Sequence, residues 1–170
     1  MNSGERSAGI VLGKVTAVKD PDQHGRVQVS YPWVNGPETR WVSVAAPMAG
    51  NDRGFFCMPK IDDEVILAFH MNMWDHPVVM GFLWNPVQKA PSPDERQCMW
   101  RSDNKHTIRL VDSTPNKGDV GGIFLEDGHG NAITMTNTNI TIKSQGALTI
   151  EAAGVITIDG RPVKKVGPEI

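Results

Sequence analysis

Asp62-Asp63-Glu64 is the densest cluster of ionisable side chains in the sequence. Adjacent carboxylates can act as a general acid and a base or nucleophile, the pairing that glycoside hydrolysis needs. Three acids ahead of the apolar run Val65-Ile-Leu-Ala-Phe69 also read as a charged turn entering a strand, and this second reading is preferred. His70 and His76 flank a turn, while Cys57 and Cys98 are distant in sequence. No pair has the short ligand spacing of a structural zinc site. Neither a Gly-x-Ser-x-Gly elbow nor a phosphate-binding Gly-rich loop is present. The expectation is a protein with no catalytic residue, no metal site and no cofactor.

Aromatic side chains over a basic groove would be a different chemistry, that of single-stranded nucleic acids. Tyr31, Trp33, Trp41, Phe55 and Phe56 supply the aromatics. Between Ile10 and Gln88 the bases are Lys14, Lys19, Arg26, Arg40, Arg53 and Lys60. The acids Asp20, Asp22, Glu38, Asp52, Asp62, Asp63, Glu64 and Asp75 outnumber them. An acidic segment is a poor clamp for phosphates. Nucleic-acid binding is therefore the alternative reading, and the aromatics read as barrel core or as contacts between copies.

The elements that carry these residues follow from pattern. The 170 residues hold 17 Gly and 12 Pro, with a net charge of −2. All five tryptophans (Trp33, Trp41, Trp74, Trp84, Trp100) lie in the first hundred positions, and 116–160 contains no Pro, Trp, Tyr, Cys or Arg. Two regions built on different plans are implied. In the first, β-rich runs at 10–18, 26–31, 41–45, 62–69 and 76–84 are separated by turn chemistry such as Asp20-Pro-Asp-Gln-His-Gly25. Five short strands in so few residues predict a small closed barrel of oligonucleotide/oligosaccharide-binding (OB) topology. No apolar run reaches the roughly 18 residues of a membrane span, and 1–9 is too polar for a signal peptide. The protein is expected to be made in the cytoplasm with reduced thiols.

The second region carries an internal repeat. Ser144-Gln-Gly-Ala-Leu-Thr-Ile-Glu151 aligns without gaps on Ala152-Ala-Gly-Val-Ile-Thr-Ile-Asp159. Apolar dyads recur at Ile133/Met135, Ile140/Ile142, Leu148/Ile150 and Ile156/Ile158, with Thr134, Thr141, Thr149 and Thr157 between them. Alternation puts the dyads on one face, and Gly146 and Gly154 read as the turns between units. A unit of eight residues cannot enclose a core, because single-chain solenoids use coils of about 20 residues or more. Three chains, each supplying one unit per level, would enclose the dyads in a three-faced prism. A β-meander is the simpler competing reading. Asp127-Gly-His-Gly-Asn131 reads as a tight turn.

Several separated motifs carry a family resemblance: Gly25-Arg-Val-Gln-Val, Tyr31-Pro-Trp33, Trp41-Val-Ser-Val-Ala-Ala-Pro-Met-Ala-Gly50, Asp63-Glu-Val65 and Pro77-Val-Val-Met-Gly81. Together they resemble the OB domain of phage baseplate assembly protein V and of type VI secretion spike proteins. The resemblance implies an all-β protein: an OB barrel followed by an intertwined trimeric β-helical needle. The expected organisation is an N-terminal tail 1–9, OB domain 10–88, linker 89–105, β-helical spike 106–160 and tip segment 161–170. It also implies the central spike of a contractile injection apparatus (a phage tail, tailocin or related particle) that pierces a target envelope mechanically. Ile133, Met135, Ile140, Ile142, Leu148, Ile150, Ile156 and Ile158 would then form the trimer core. Some relatives insert a lysozyme between barrel and needle, for which 86–105 is too short. Others end in an iron-binding His-x-His apex, which Arg161–Ile170 lacks. Val163, Val166 and Ile170 are instead candidate contacts for a separate tip protein of the PAAR type. With so few residues ahead of Ile10, the hub is expected to be a separate protein. The other alternative is an effector carrier, with the effector held non-covalently.

Overall fold

The computed structural model describes residues 9–31, 40–73, 76–114, 118 and 121–163. Trp33, Trp74, Val166 and Ile170 lie outside them. Strict alternation makes β1 (Val11–Ala17) a half-buried strand: Val11 and Val15 are buried, while Leu12, Lys14 and Thr16 face out. The loop after it is closed by Asp20, which accepts hydrogen bonds from the backbone N–H groups of Asp22, His24 and Arg26. β2 (Arg26–Ser30) and β3 (Trp41–Val44) follow. A small hairpin of β4 (Ala49–Gly50) and β5 (Arg53–Gly54) then leads to β6 (Glu64–Phe69). A single 3-10 turn at His70–Asn72 precedes β7 (Pro77–Leu83).

These strands close a barrel in the order β1-β2-β3-β7-β6, antiparallel except for the parallel β3–β7 pair. That order, with one parallel closure, is the expected OB topology. Val11, Val15, Val27, Val29, Tyr31, Val42, Val65, Leu67 and Val79 fill the interior. Gly13 makes room for Leu67: a Cβ there would come within 2.9 Å of Leu67 Cδ1. Tyr31, one of the aromatics considered for base stacking, is instead buried and packs edge-on against Phe69, ring centroids 5.8 Å apart.

The chain divides into two compact units, 1–90 and 91–170. The second is a five-stranded antiparallel sheet of β8 (Gln97–Arg101), β9 (Thr107–Val111), β10 (Gly122–Glu126), β11 (Ala132–Thr136) and β12 (Ile140–Lys143), in the order β12-β11-β10-β9-β8. Residues 97–101, expected within a linker, are thus a strand paired along its length with β9. A hairpin of β13 (Thr157–Ile158) and β14 (Arg161–Pro162) ends the described chain. Its turn residues, Asp159 and Gly160, have φ of 52° and 68°, both in the region that two-residue Asp-Gly hairpin turns require. Among the described residues no helix is long and apolar enough to cross a membrane.

Candidate assembly interface

The register of the second unit sorts its side chains sharply. Directly paired residues of antiparallel strands share a face, so the ladder defines two rows across all five strands. Cys98, Leu110, Ile123, Met135 and Ile140 form one; Trp100, Ile108, Leu125, Ile133 and Ile142 form the other. Every member is exposed, from 38% for Met135 to 75% for Ile140.

The opposite face holds Gln97, Arg101, Thr107, Arg109, Glu126, Thr134, Thr136, Thr141 and Lys143, with Met99, Val111, Phe124 and Ala132 among them. Arg109 bonds Glu126 at 2.8 Å and lies 4.6 Å from the Phe124 ring centre. Thr107 is buried, with its hydroxyl accepting from Arg101 Nε and donating to the Lys105 carbonyl. Polar groups therefore bond one another on one face, although Arg109 Nε is buried without a hydrogen-bond partner, while the apolar face meets solvent. All buried hydrophobic side chains among the described residues belong to the barrel. An exposed apolar face of this extent marks an interaction surface.

Turn chemistry sets this register. Asp127 Oδ1 accepts from the N–H groups of His129 and Asn131, and Oδ2 accepts from Asn131 Nδ2. These bonds, led by the one from Asn131, hold the Asp127 carboxyl down at about 2. Asn131 Oδ1 in turn receives the Gln145 N–H at 2.8 Å. Reversal between β11 and β12 is closed by the Thr136 N–H to the Asn139 carbonyl at 2.9 Å.

That reversal corrects one expectation. Ile133/Met135 and Ile140/Ile142 are not successive levels of a single winding; they face each other on antiparallel neighbours, Ile133 opposite Ile142 and Met135 opposite Ile140. The turn-forming Asn137-Thr138-Asn139 reverses the chain between them. Of the other candidate core residues, Leu148 and Ile150 lie in a stretch without strands, exposed at 56% and 62%. Ile156 precedes β13, and Ile158 within it is 69% exposed. Gly146 and Gly154 have open space around them and no left-handed φ. Val163 is 45% exposed, its N–H bonded to the Ile156 carbonyl. Sequence reading missed six members of the rows: Cys98, Trp100, Ile108, Leu110, Ile123 and Leu125. The segments 107–113 and 122–133 do read from sequence as strands that open such a prism, but their alternating Ile108/Leu110 and Ile123/Leu125 were not assigned to its core.

The acidic cluster of the barrel is divided among three structural tasks. Asp62 pairs with Lys14 at 3.0 Å on the surface. Asp63 accepts from the Lys60 N–H and from Gln88 Nε2. Glu64 accepts from Asn85 Nδ2. The turn thus anchors the segment by which the chain leaves the barrel. His70 and His76 bracket their loop through a backbone bond, and among the described residues no group of three ligating side chains gathers. Arg26 is held by Asp20 at 2.7 Å and by Asp22. Lys14 and Arg26 are thus both paired to carboxylates.

Comparison with known proteins places the barrel. Residues 11–84 match the family model described as the type VI secretion system/phage-baseplate injector OB domain. The chain is 36% identical over 75 residues to the actin cross-linking toxin VgrG1 of Vibrio cholerae, covering 41% of this chain and 7% of that protein. It is 33% identical over 106 residues to the type VI secretion system spike protein VgrG2a of Pseudomonas aeruginosa, covering 55% of this chain and 13% of the relative. With VgrG1a of the same organism the identity is 33% over 75 residues, 41% of this chain and 12% of the relative. The chain thus spans only a small part of the length of these relatives. The barrel formed by 11–84 is similar to the OB domain of type VI secretion and phage-baseplate injectors.

Proposed function

We propose that this protein is the central spike of a contractile injection apparatus and acts as a homotrimer without catalysis. One observation carries the reading: on the same chain as an injector OB domain, ten exposed apolar side chains cover one face of a sheet that has no core of its own. Burial of a large apolar side chain stabilises by about 1.5–3 kcal/mol, so this face strongly favours association. Three copies are the number that the eight-residue repeat at 144–159 calls for. Its dyads Leu148/Ile150 and Ile156/Ile158 gain a dry axis only when other chains complete each level, and Gly146 and Gly154 turn the chain between levels.

The barrel docks on a separate hub, the needle points at the target envelope, and the tip segment with Val163 meets a PAAR-type cone. Sheath contraction supplies force, and the spike concentrates it on a small area. Ladders shared between chains resist shear because one chain cannot leave without breaking its pairing with the other two, so kinetic persistence is the selected property. The protein works within an assembled particle, either a phage tail or a related injection device.

Light scattering on the purified chain tests this directly. The expected mass is three times 18.6 kDa, with a band on unheated SDS gels that collapses to the single chain on boiling. A monomer at micromolar concentration would overturn the reading, and a dimer would replace the prism by a face-to-face sandwich.

A further inference from the structure

The barrel has its own exposed apolar surface, gathered at one end by its topology. β1 and β7 finish at this end, and β6 begins there, as the pairings Lys14 with Glu64 and Glu64 with Leu83 require. Trp84 and Val87 therefore share this end with the connection between β3 and β6, which carries Phe56 and Ile61. Their exposures are 72%, 90%, 82% and 57%. Hydrogen bonds fix the arrangement. Gln88 Nε2 donates to the Asp62 carbonyl and to Asp63, and Asn85 Nδ2 donates to Glu64, which brings the exit segment onto the turn beside Ile61. On the far side Phe56 lies against the β1–β2 loop, within 3.9 Å of where a Cβ on Gly25 would sit.

We infer that this barrel end is a second contact between copies of the chain, formed by Phe56, Ile61, Trp84 and Val87 of neighbouring barrels. The inference rests on the trimer proposed above. Connectivity selects this occupant over any other protein. Only 89–96 separate the exit segment from β8, a reach of about 30 Å at full extension. Copies joined through their β8–β12 sheets keep these barrel ends within a few tens of ångströms of one another, an effective concentration in the millimolar range. At that concentration even a small apolar contact is occupied, and the anchored exit segment loses little freedom on forming it. The face of the second unit holds the copies together; the barrel end then aligns the barrels.

Cys57, exposed and adjacent to Phe56, is a natural reporter. Its labelling by an aromatic disulfide reagent, read at Cys57 by peptide mass spectrometry in the chain with both cysteines kept, should be at least tenfold slower in the trimer than in an Ile133→Asp chain that cannot assemble. Adding Phe56→Glu and Trp84→Glu to the parent chain should restore fast labelling while light scattering still reports a trimer. Equal rates in the trimer and the unassembled chain would overturn the barrel contact and leave the trimer standing. Slow labelling that appears only after a hub protein is added would assign the surface to that protein and overturn the inference equally. A monomeric parent chain would overturn the trimer, and the contact with it.

Discussion

Three aspartates each organise a turn by accepting several hydrogen bonds. Asp20 takes three backbone N–H groups and the Arg26 guanidinium, and that guanidinium above all holds its carboxyl well below the usual range. Asp94 is lowered to about 2, chiefly by Arg96, and Asp127 to about 2, chiefly by Asn131. A carboxyl whose folded pKa lies below its unfolded value stabilises the fold above that unfolded value, here 3.8, and loses the contribution as pH falls through the folded one. Asp127→Asn keeps the Oδ1 acceptor and removes the titration. Urea unfolding followed from about pH 5 to about pH 2 should show the parent losing stability faster than the variant, the two converging in acid. A gap between them that does not change with pH would mean that the charge of Asp127 contributes nothing.

At the scale of a single strand, β11 offers an internal control. Ile133 and Thr134 are neighbours on opposite faces, so Ile133→Asp and Thr134→Asp add the same charge with the same local cost to strand propensity. The first places a carboxylate on the face buried by association and should cost several kcal/mol per copy, abolishing the trimer in light scattering. The second should leave the mass unchanged and lower stability by about 1 kcal/mol or less. If both assembled equally well, the apolar rows would not be the interface. Period-two alternation makes the barrel strands legible in the sequence: Arg26–Ser30 and Trp41–Val44 announce their buried face residue by residue. The same signal failed at β8, where Gln97-Cys-Met-Trp-Arg101 interleaves a thioether with the two apolar-row positions Cys98 and Trp100, and Pro91 and Pro93 suggest a linker. It also failed at the reversal after Thr136, because a repeat fixes composition but not strand direction; direction was set by Asn137-Thr138-Asn139. The β4–β5 hairpin was missed for want of length, since two residues carry no periodicity. Nothing in the sequence pattern alone linked Asn85 and Gln88 to the Asp62–Glu64 turn. Those bonds join residues 21 to 26 positions apart.

In the whole molecule the two units differ in kind. The barrel has a buried core within one chain, whereas the described residues of the β8–β12 sheet bury no hydrophobic side chain, and in the proposed trimer their core would come from other copies. Thermal unfolding should accordingly show a transition for the second unit whose midpoint rises with protein concentration, beside one for the barrel that depends on it far less. Conditional folding of this kind has a genetic consequence. When native chains are made together with an equal amount of chains whose lesion still lets them enter the assembly, only about one trimer in eight consists of three native copies. An allele that spoils the apolar rows without preventing entry should therefore be dominant, cutting functional particles far below half when supplied from a second copy of the gene. A lesion confined to the barrel interior should behave as a simple loss, because a chain that never folds its barrel is removed before it meets its partners.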